Sequence, residues 1–216
     1  MKQTRIKLAV ASFALAALAA LGPVFATDKN PEDVIREASE LTLAAIEGRR
    51  AELKANADEL FKVVDEVLLP RWDRMYTGQL VMGRYWREAS PSEREEFISG
   101  LYRKLLRSYG DGILEYNSDQ LKILGTRGNP DEGRVMVDSS VTLEDGTPVP
   151  ISYRLRLQDG DWKVYDVVVE GISYVTNYRN QYASEFRAKG VKGVLGQLKA
   201  ENESGVVEES PGESED

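Results

Sequence analysis

The hydrophobic pattern of the chain changes its period once, and this change limits the possible folds more than any other feature. Before about residue 118, apolar side chains recur three or four positions apart, as Val34, Ala38 and Leu41 do, which is the spacing of one helix face. From about residue 119 they alternate with polar residues, which is typical of half-buried strands. Because the helices precede the strands instead of alternating with them, we predict an α+β fold.

Local signals predict where helices begin and end. Asn30 and Pro31 precede two acidic residues, and residues 90–93 (Ser-Pro-Ser-Glu) form a capping box, so a helix is expected to begin at each place. Gly110 and Gly112 are expected to interrupt the second of these helices. Further helices are predicted at residues 50–69 and 71–81, and from residue 174 to a break at Lys189-Gly190, with a final short helix at 191–198.

The strand region predicts a four-stranded antiparallel meander, with strands near residues 119–126, 134–143, 147–157 and 162–169. The Asp145-Gly146 and Asp159-Gly160 pairs favour tight turns between neighbouring strands. Gly171 is expected to end the sheet. The C-terminal helices should then pack over one face of it, where they can either fill the interior or leave an apolar pocket.

The N-terminus has the pattern of a secretory signal peptide. Lys2, Arg5 and Lys7 precede an uncharged stretch at residues 8–21, and residues 24–26 form a cleavage site. This stretch is shorter than the ~20 residues that a membrane-spanning helix needs. We predict a signal peptide at residues 1–26, one domain at 27–200 and a disordered acidic tail at 201–216.

Composition excludes several kinds of site. The chain has no cysteine and no histidine, which removes Ser-His and Cys-His nucleophile systems and metal sites built from those ligands. Its net charge is −8 and no basic stripe stands out, so nucleic-acid binding is not expected. We assign no catalytic residue and no metal site.

Three groups of residues leave a choice between chemistry and packing. Asp166 and Glu170 could supply a general base, but we favour structural bonds at the end of the sheet. Tyr174, Tyr178 and Tyr182 could stabilise an oxyanion, but their helical spacing favours packing. A set of arginines that flank aromatic residues could hold an anionic group or form ordinary ion pairs: Arg71, Arg74, Arg84 and Arg87.

Two sequence blocks resemble a known family. Residues 82–90 have the sequence MGRYWREAS and lead into SEREEF at 92–97; residues 162–173 have the sequence WKVYDVVVEGIS and are followed by NYRNQY at 177–182. In this order and spacing, the blocks resemble the MlaC family, also called the toluene-tolerance auxiliary family. The similarity extends over about residues 30–199, and the acidic tail is not part of the family pattern.

The resemblance implies a periplasmic phospholipid carrier of Gram-negative bacteria, a monomer with no cofactor besides its lipid cargo. Such a carrier shuttles lipid between an outer-membrane lipoprotein–porin complex and an inner-membrane ABC transporter with an MCE-domain subunit, and so maintains outer-membrane lipid asymmetry. Both acyl tails would lie in an apolar pocket between helices and sheet, with the headgroup outside. Two chains of about sixteen carbons represent roughly 25 kcal/mol of hydrocarbon transfer at ~0.8 kcal/mol per CH₂, so only an apolar cavity could shield them from water.

The pocket candidates are apolar residues on the broad helix stripes and the alternating strand face. They are Met75, Leu80, Tyr85, Leu101, Leu105, Tyr109, Val137, Ile151, Tyr153, Leu155, Val167, Val169, Ile172 and Tyr174. Arg84 and Arg87 are the candidates for the headgroup rim. Two alternatives remain open: a small periplasmic enzyme with an Asp/Tyr site acting on an apolar molecule, and an adaptor with a solid interior that only bridges proteins.

Overall fold

The computed structural model describes residues 30–115, 117, 120–143 and 145–204. The predicted signal peptide and residues 205–216 of the predicted tail lie outside these residues. The helices are α1 (Pro31–Ile46), α2 (Arg50–Ala55), α3 (Ala57–Leu68), α4 (Arg74–Met82), α5 (Pro91–Glu115) and α6 (Tyr174–Ser204). The strands are β1 (Leu121–Arg127), β2 (Arg134–Thr142), β3 (Pro148–Gln158), β4 (Asp161–Val169) and β5 (Ile172–Ser173).

The two predicted helix starts are confirmed by their caps. The Asn30 side chain accepts a hydrogen bond from the backbone N–H of Glu32 at 3.1 Å. At the start of α5, the Ser90 backbone N–H donates to the Glu93 carboxylate at 2.8 Å, and the Glu93 N–H donates back to the Ser90 hydroxyl at 3.3 Å. These reciprocal bonds satisfy backbone donors that the first turn of a helix leaves without partners.

Two helix predictions are wrong. The predicted helix at 50–69 is divided at Asn56, whose backbone is extended and whose side chain caps α3 by accepting from the Glu59 N–H. In contrast, α5 continues through Gly110, which was expected to interrupt it. A Cβ at Gly110 would lie 3.1 Å from Leu60, so this glycine permits close packing of α3 against α5 and does not end the helix.

The sheet is an antiparallel meander in the order β1-β2-β3-β4-β5. It therefore has five strands where four were predicted, and the prediction that Gly171 ends it is wrong. Glu170 and Gly171 both have positive φ, at 51° and 84°, and they turn the chain back so that Ile172 pairs with Val169. A strand of two residues is too short to produce a period-two pattern, which explains why the sequence did not show it.

The C-terminal helix folds back at the predicted Lys189-Gly190 break, where Gly190 has φ 66° and ψ 179°. Its first half places Tyr182 against Phe97 of α5. Its second half returns along α5 and continues to Ser204, four residues past the predicted domain boundary. There the Asn202 side chain donates to the Gly100 carbonyl at 3.0 Å.

The buried residues form three clusters. One joins α4, α5 and α6 around packed aromatic rings, the second joins the end of α1 to α2, α3 and α5, and the third joins the start of α1 to the sheet. Among the described residues, no helix is both long and apolar enough to cross a bilayer.

Candidate functional site

One face of the sheet, here called the inner face, carries the alternating apolar residues of β2, β3 and β4. At one end of it, Val135 and Val137 of β2 and Leu155 of β3 are at most 5% exposed. Val34 and Ile35 of α1 pack against them. This part, together with Trp162 of β4, is called the filled end; it is ordinary core.

At the other end of the same face, apolar residues of β3, β4 and β5 are less covered. The register places Ile151 opposite Val169, and Val169 opposite Ile172. Ile151, Val167 and Val169 are only half-buried, and Ile172 is 45% exposed. These four residues are called the open end. β-Branched side chains in a sheet normally pack against a neighbouring layer, so their exposure marks apolar surface that the described helices leave incompletely covered.

Helical residues adjoin the open end because α6 begins directly after β5. Tyr174, the first residue of α6, packs edge-on against Tyr109 of α5, with ring centroids 5.3 Å apart. Both tyrosines are half-buried, as is Leu105 at the margin of the aromatic cluster. The open end and these side chains therefore form two incompletely buried apolar surfaces that meet where β5 joins α6.

Asp166 holds this junction together. Its carboxylate is buried and accepts hydrogen bonds from the Ser173 hydroxyl at 2.7 Å, the Val175 backbone N–H at 3.0 Å and the Arg154 guanidinium at 3.0 Å. It thus caps α6 and ties the helix to β3. A carboxylate occupied by three donors serves the fold, which favours the structural interpretation of Asp166. Glu170 lies exposed in the turn before β5.

The tyrosines of α6 are packing residues beyond the first turn. Tyr178 and Tyr182 are 4% and 2% exposed. Their rings lie 6.3 Å apart, and Tyr182 also contacts Phe97 and Phe186. This confirms the packing interpretation for both residues.

The predicted pocket residues are found in several environments. Val137 and Leu155 belong to the filled end, and Tyr85 and Leu101 lie inside the aromatic cluster. Leu80 is half-buried on α4, while Met75 is 41% exposed on the same helix. The residues that are half-buried or exposed beside the open end are the strongest remaining candidates: Ile151, Tyr153, Val167, Val169, Ile172, Leu105, Tyr109 and Tyr174.

The two rim candidates lie on the exposed short turn between α4 and α5. Arg84 donates to the Tyr85 hydroxyl at 2.6 Å, and this bond raises the pKa of Arg84 above its ordinary value. The Tyr85 ring stacks on Phe186 at 4.8 Å, more than three helical turns beyond Tyr174. Arg84 is thus displaced along α6 from the open end, and a headgroup contact by Arg84 or Arg87 stays a prediction.

The other two arginines singled out by the sequence form local contacts. Arg71 donates to the Val67 carbonyl at 2.8 Å and lies 3.6 Å from Glu37, while Arg74 lies 3.6 Å from Glu95. The sequence interpretation overlooked a different set, the arginines that alternate with apolar residues on β2 and β3. Their alternation was a visible signal, because period two places them together on the outer face of the sheet.

The comparisons with known proteins agree on one family. The sequence model described as "MlaC protein" matches residues 36–200. A protein of Pseudomonas putida named toluene tolerance protein ttg2D is 27% identical over 177 residues, which cover 82% of each chain. The intermembrane phospholipid transport system binding protein MlaC of Haemophilus influenzae is 21% identical over 167 residues, covering 76% of this chain and 78% of that protein.

A solved structure shows the same fold. The phospholipid-binding protein from Ralstonia solanacearum, determined in complex with a phospholipid, superposes with a TM-score of 0.76 and 28% sequence identity. The match covers 82% of this chain and 99% of that one. The helices and the antiparallel sheet therefore recur together across nearly the whole of that protein.

Proposed function

The chain belongs to the MlaC family, and from this premise we propose that it binds a phospholipid by its acyl tails and carries it between membranes. The family match covers residues 36–200, so the resemblance of the two sequence blocks is confirmed. The relatives named for phospholipid binding and transport support the choice of cargo. No group in the proposal makes or breaks a covalent bond, and the protein acts as a carrier and not as an enzyme.

The open end of the inner face is the observation that carries this proposal. Acyl tails inserted there would lie between Ile151, Val167 and Val169 on one side and the first turn of α6 on the other. Each CH₂ group taken out of water contributes about 0.8 kcal/mol, so shielding whole tails requires the two apolar surfaces to separate and admit them. The junction between β5 and α6 is where that separation has to occur, because both surfaces border it.

Family membership and the predicted signal peptide support a more specific proposal. The carrier works in the periplasm as a monomer and keeps the headgroup in water, at the mouth of the site. It exchanges lipid with an outer-membrane lipoprotein–porin complex and with an inner-membrane ABC transporter that has an MCE-domain subunit. Through this exchange it maintains outer-membrane lipid asymmetry.

Lipid extraction tests the proposal directly. The full chain is purified without detergent, extracted with organic solvent, and its lipids are measured by mass spectrometry against protein concentration. We expect close to one phospholipid per protein. A folded protein that carries no phospholipid, and takes none up from vesicles, would contradict the proposal.

Neighbouring valines provide a matched pair of variants. Val169 lies on the inner face opposite Ile151, whereas Val168 lies on the outer face opposite Ser152. Val169→Phe should fill the open end and reduce bound phospholipid by about tenfold, which corresponds to a loss of ~1.4 kcal/mol in binding free energy. Val168→Phe should leave the lipid content unchanged; equal losses in the two variants would mean that the inner face does not hold the tails.

A further inference from the structure

The outer face of the sheet, behind the filled end, places like charges together. Arg134 of β2 lies directly opposite Arg156 of β3, and in the adjacent row Met136 lies between Arg127 of β1 and Arg154 of β3. Like charges that face each other across a strand pair destabilise a sheet. Asp73, which pairs with Arg156, and the Tyr76 ring, which both guanidinium groups contact, offset part of this cost.

The carboxylates near these arginines offset only part of the charge, because three of the four arginines have a carboxylate partner among the described residues and Arg134 does not. Arg154 and Arg156 form ion pairs with Asp166 and Asp73, but both aspartates are buried, at 3% and 5% exposure. Their negative charge therefore lies beneath the guanidinium groups. The Arg127 side chain is 66% exposed above its pair with Asp138, so solvent meets cationic groups on this part of the sheet.

Arg134 differs from Arg127, Arg154 and Arg156 because most of its N–H donors have no partner among the described residues. It donates to the Tyr76 hydroxyl at 3.0 Å, and its guanidinium carbon lies 5.6 Å from the centre of the Tyr76 ring. Arg156 lies over the same ring at 4.4 Å. Among the described residues Arg134 forms no ion pair, although a guanidinium has five N–H donors. Its head is thus held in place by an aromatic ring while most of its hydrogen-bonding capacity is unused.

These side chains line a shallow groove of about 320 Å³, with Arg127, Arg134 and Arg154 on its walls and Met136 and Tyr165 among its apolar lining. Burial raises the pKa of Tyr165, so its phenol stays neutral and adds no negative charge. We propose that this groove, called the arginine groove, docks an acidic segment of a partner protein, with a carboxylate of that segment bound by Arg134.

Charge and chemistry favour an acidic protein segment over other anions. Planar guanidinium groups match carboxylates through paired hydrogen bonds, and Met136 and Tyr165 in the groove lining offer apolar surface to the side chains of a protein segment. The net charge of −8 would repel an extended anionic membrane surface from the rest of the protein. The headgroup of a lipid held at the open end would lie on the opposite face of the sheet.

A carboxylate between Arg134 and its neighbours would also remove the like-charge opposition of Arg134 and Arg156. A bound carboxylate would relieve the part of this repulsion that Asp73 and the Tyr76 ring do not already offset. Replacing Arg134 by glutamine should weaken docking and leave the free protein as stable as the wild type or more stable. An arginine retained only for structure would show the reverse, with lowered stability on substitution.

Peptide binding to the full-length protein tests this inference. The probe is a fluorescent peptide of about ten residues in which glutamate alternates with serine, and binding is followed by anisotropy at about 0.15 M salt, where distant surface charges are screened. The wild type should bind it with one-to-one stoichiometry, and a peptide with glutamine in place of glutamate should not bind. Arg134→Gln should weaken binding at least about tenfold.

Lys122 provides the matched control, because it is an exposed cation on the outer face that pairs with Ser140 and does not line the groove. Lys122→Gln should leave the affinity unchanged; an equal loss there would overturn the inference, since binding would depend on total charge alone. Binding to vesicles of anionic phospholipid, but not to the peptide, would also overturn it in favour of a membrane.

The acidic tail of the chain itself is the remaining competitor. If changing Glu208, Glu209, Glu213 and Glu215 to glutamine were required before the peptide could bind, the tail and not a partner would be the occupant. Phospholipid content provides a separate readout: Arg134→Gln should retain the wild-type lipid, so failure of the arginine groove and failure of the carrier proposal can be distinguished.

Discussion

The filled and open ends of the inner face are built from the same strands and from the same kinds of side chain. At the filled end, α1 covers Val137 and Leu155 until no part of either is exposed. At the open end, Ile151 and Val169 continue the same rows but stay half-buried. The comparison teaches that the alternating pattern determines which face is apolar, while the placement of helices determines how much of that face stabilises the fold and how much is left for a ligand.

The largest expected difference between the two ends is in stability, and it is tested by truncating one β3 residue at each end. Leu155→Ala should lower the free energy of unfolding by about 2–5 kcal/mol, because the lost contacts leave a cavity in packed core. Ile151→Ala should lower it by only about 1 kcal/mol, because a half-buried side chain loses roughly half of its ~1.5–3 kcal/mol burial energy. Chemical denaturation of the lipid-free proteins measures both values.

The order of the two variants should be reversed when bound phospholipid is measured instead of stability. Leu155→Ala should keep its bound phospholipid wherever it remains folded, whereas Ile151→Ala should lose part of it. Equal destabilisation by the two substitutions would show that the open end is packed as tightly as the filled end, and the comparison would fail.

The sequence predicts the apolar face but not the difference between its two ends. Val137 and Ile151 occupy equivalent positions in the period-two pattern, and both were predicted to line the pocket. Only the packing of Val34 and Ile35 against β2 and β3 separates them, and that contact joins residues about a hundred positions apart in the chain. No local pattern contains this information.

Local signals succeeded where one residue type determines the backbone and failed where neighbours do. The capping box at Ser90 and the break at Gly190 follow from side-chain hydrogen-bond acceptors and from a positive φ, and both were predicted. Gly110 has the same residue type as Gly190, yet it lies inside a continuous helix because Leu60 packs close to it. The role of a glycine thus depended on a contact from a distant helix.

The Asp166 junction gives the second prediction, since it borders the open end alone. Asp166→Ala should lower the free energy of unfolding by about 2–3 kcal/mol, because it removes the cap of α6 and leaves Arg154, which is 37% exposed, without its carboxylate. Hydrogen exchange should then become faster in β5 and the first turn of α6, and remain slow at the filled end.

Asp138→Asn is the control for that result. Asp138 pairs with the exposed Arg127, whose hydrogen bond holds the pKa of Asp138 below its ordinary value. The stabilisation that accompanies this depressed pKa is fully present above the unfolded pKa, near 4, and is lost as the pH falls through the folded pKa. Because solvent screens the pair, Asp138→Asn should lower the free energy of unfolding at neutral pH by less than about 1 kcal/mol. Faster exchange throughout the sheet after Asp166→Ala would mean that the two ends are one cooperative unit, not two.

Ile172 gives the smallest effect on stability and the sharpest test of the open end. It is 45% exposed, so Ile172→Ser should change the free energy of unfolding by no more than about 0.5 kcal/mol. Its effect should instead fall on cargo, because the side chain lies opposite Val169 at the margin where we propose that the tails enter. The measurement is the amount of phospholipid taken up from vesicles by lipid-free protein, which should decrease.

Leu124→Ser is the matched substitution, since Leu124 is an even more exposed apolar residue, at 58%, on the opposite edge strand β1. Four strand spacings of ~4.8 Å place it about 19 Å from β5, so its loss removes a similar area of apolar surface without touching the open end. Uptake should be unaffected by Leu124→Ser. An equal decrease in both variants would mean that lipid uptake depends on exposed apolar area in general. The open end would then not be the lipid-binding surface.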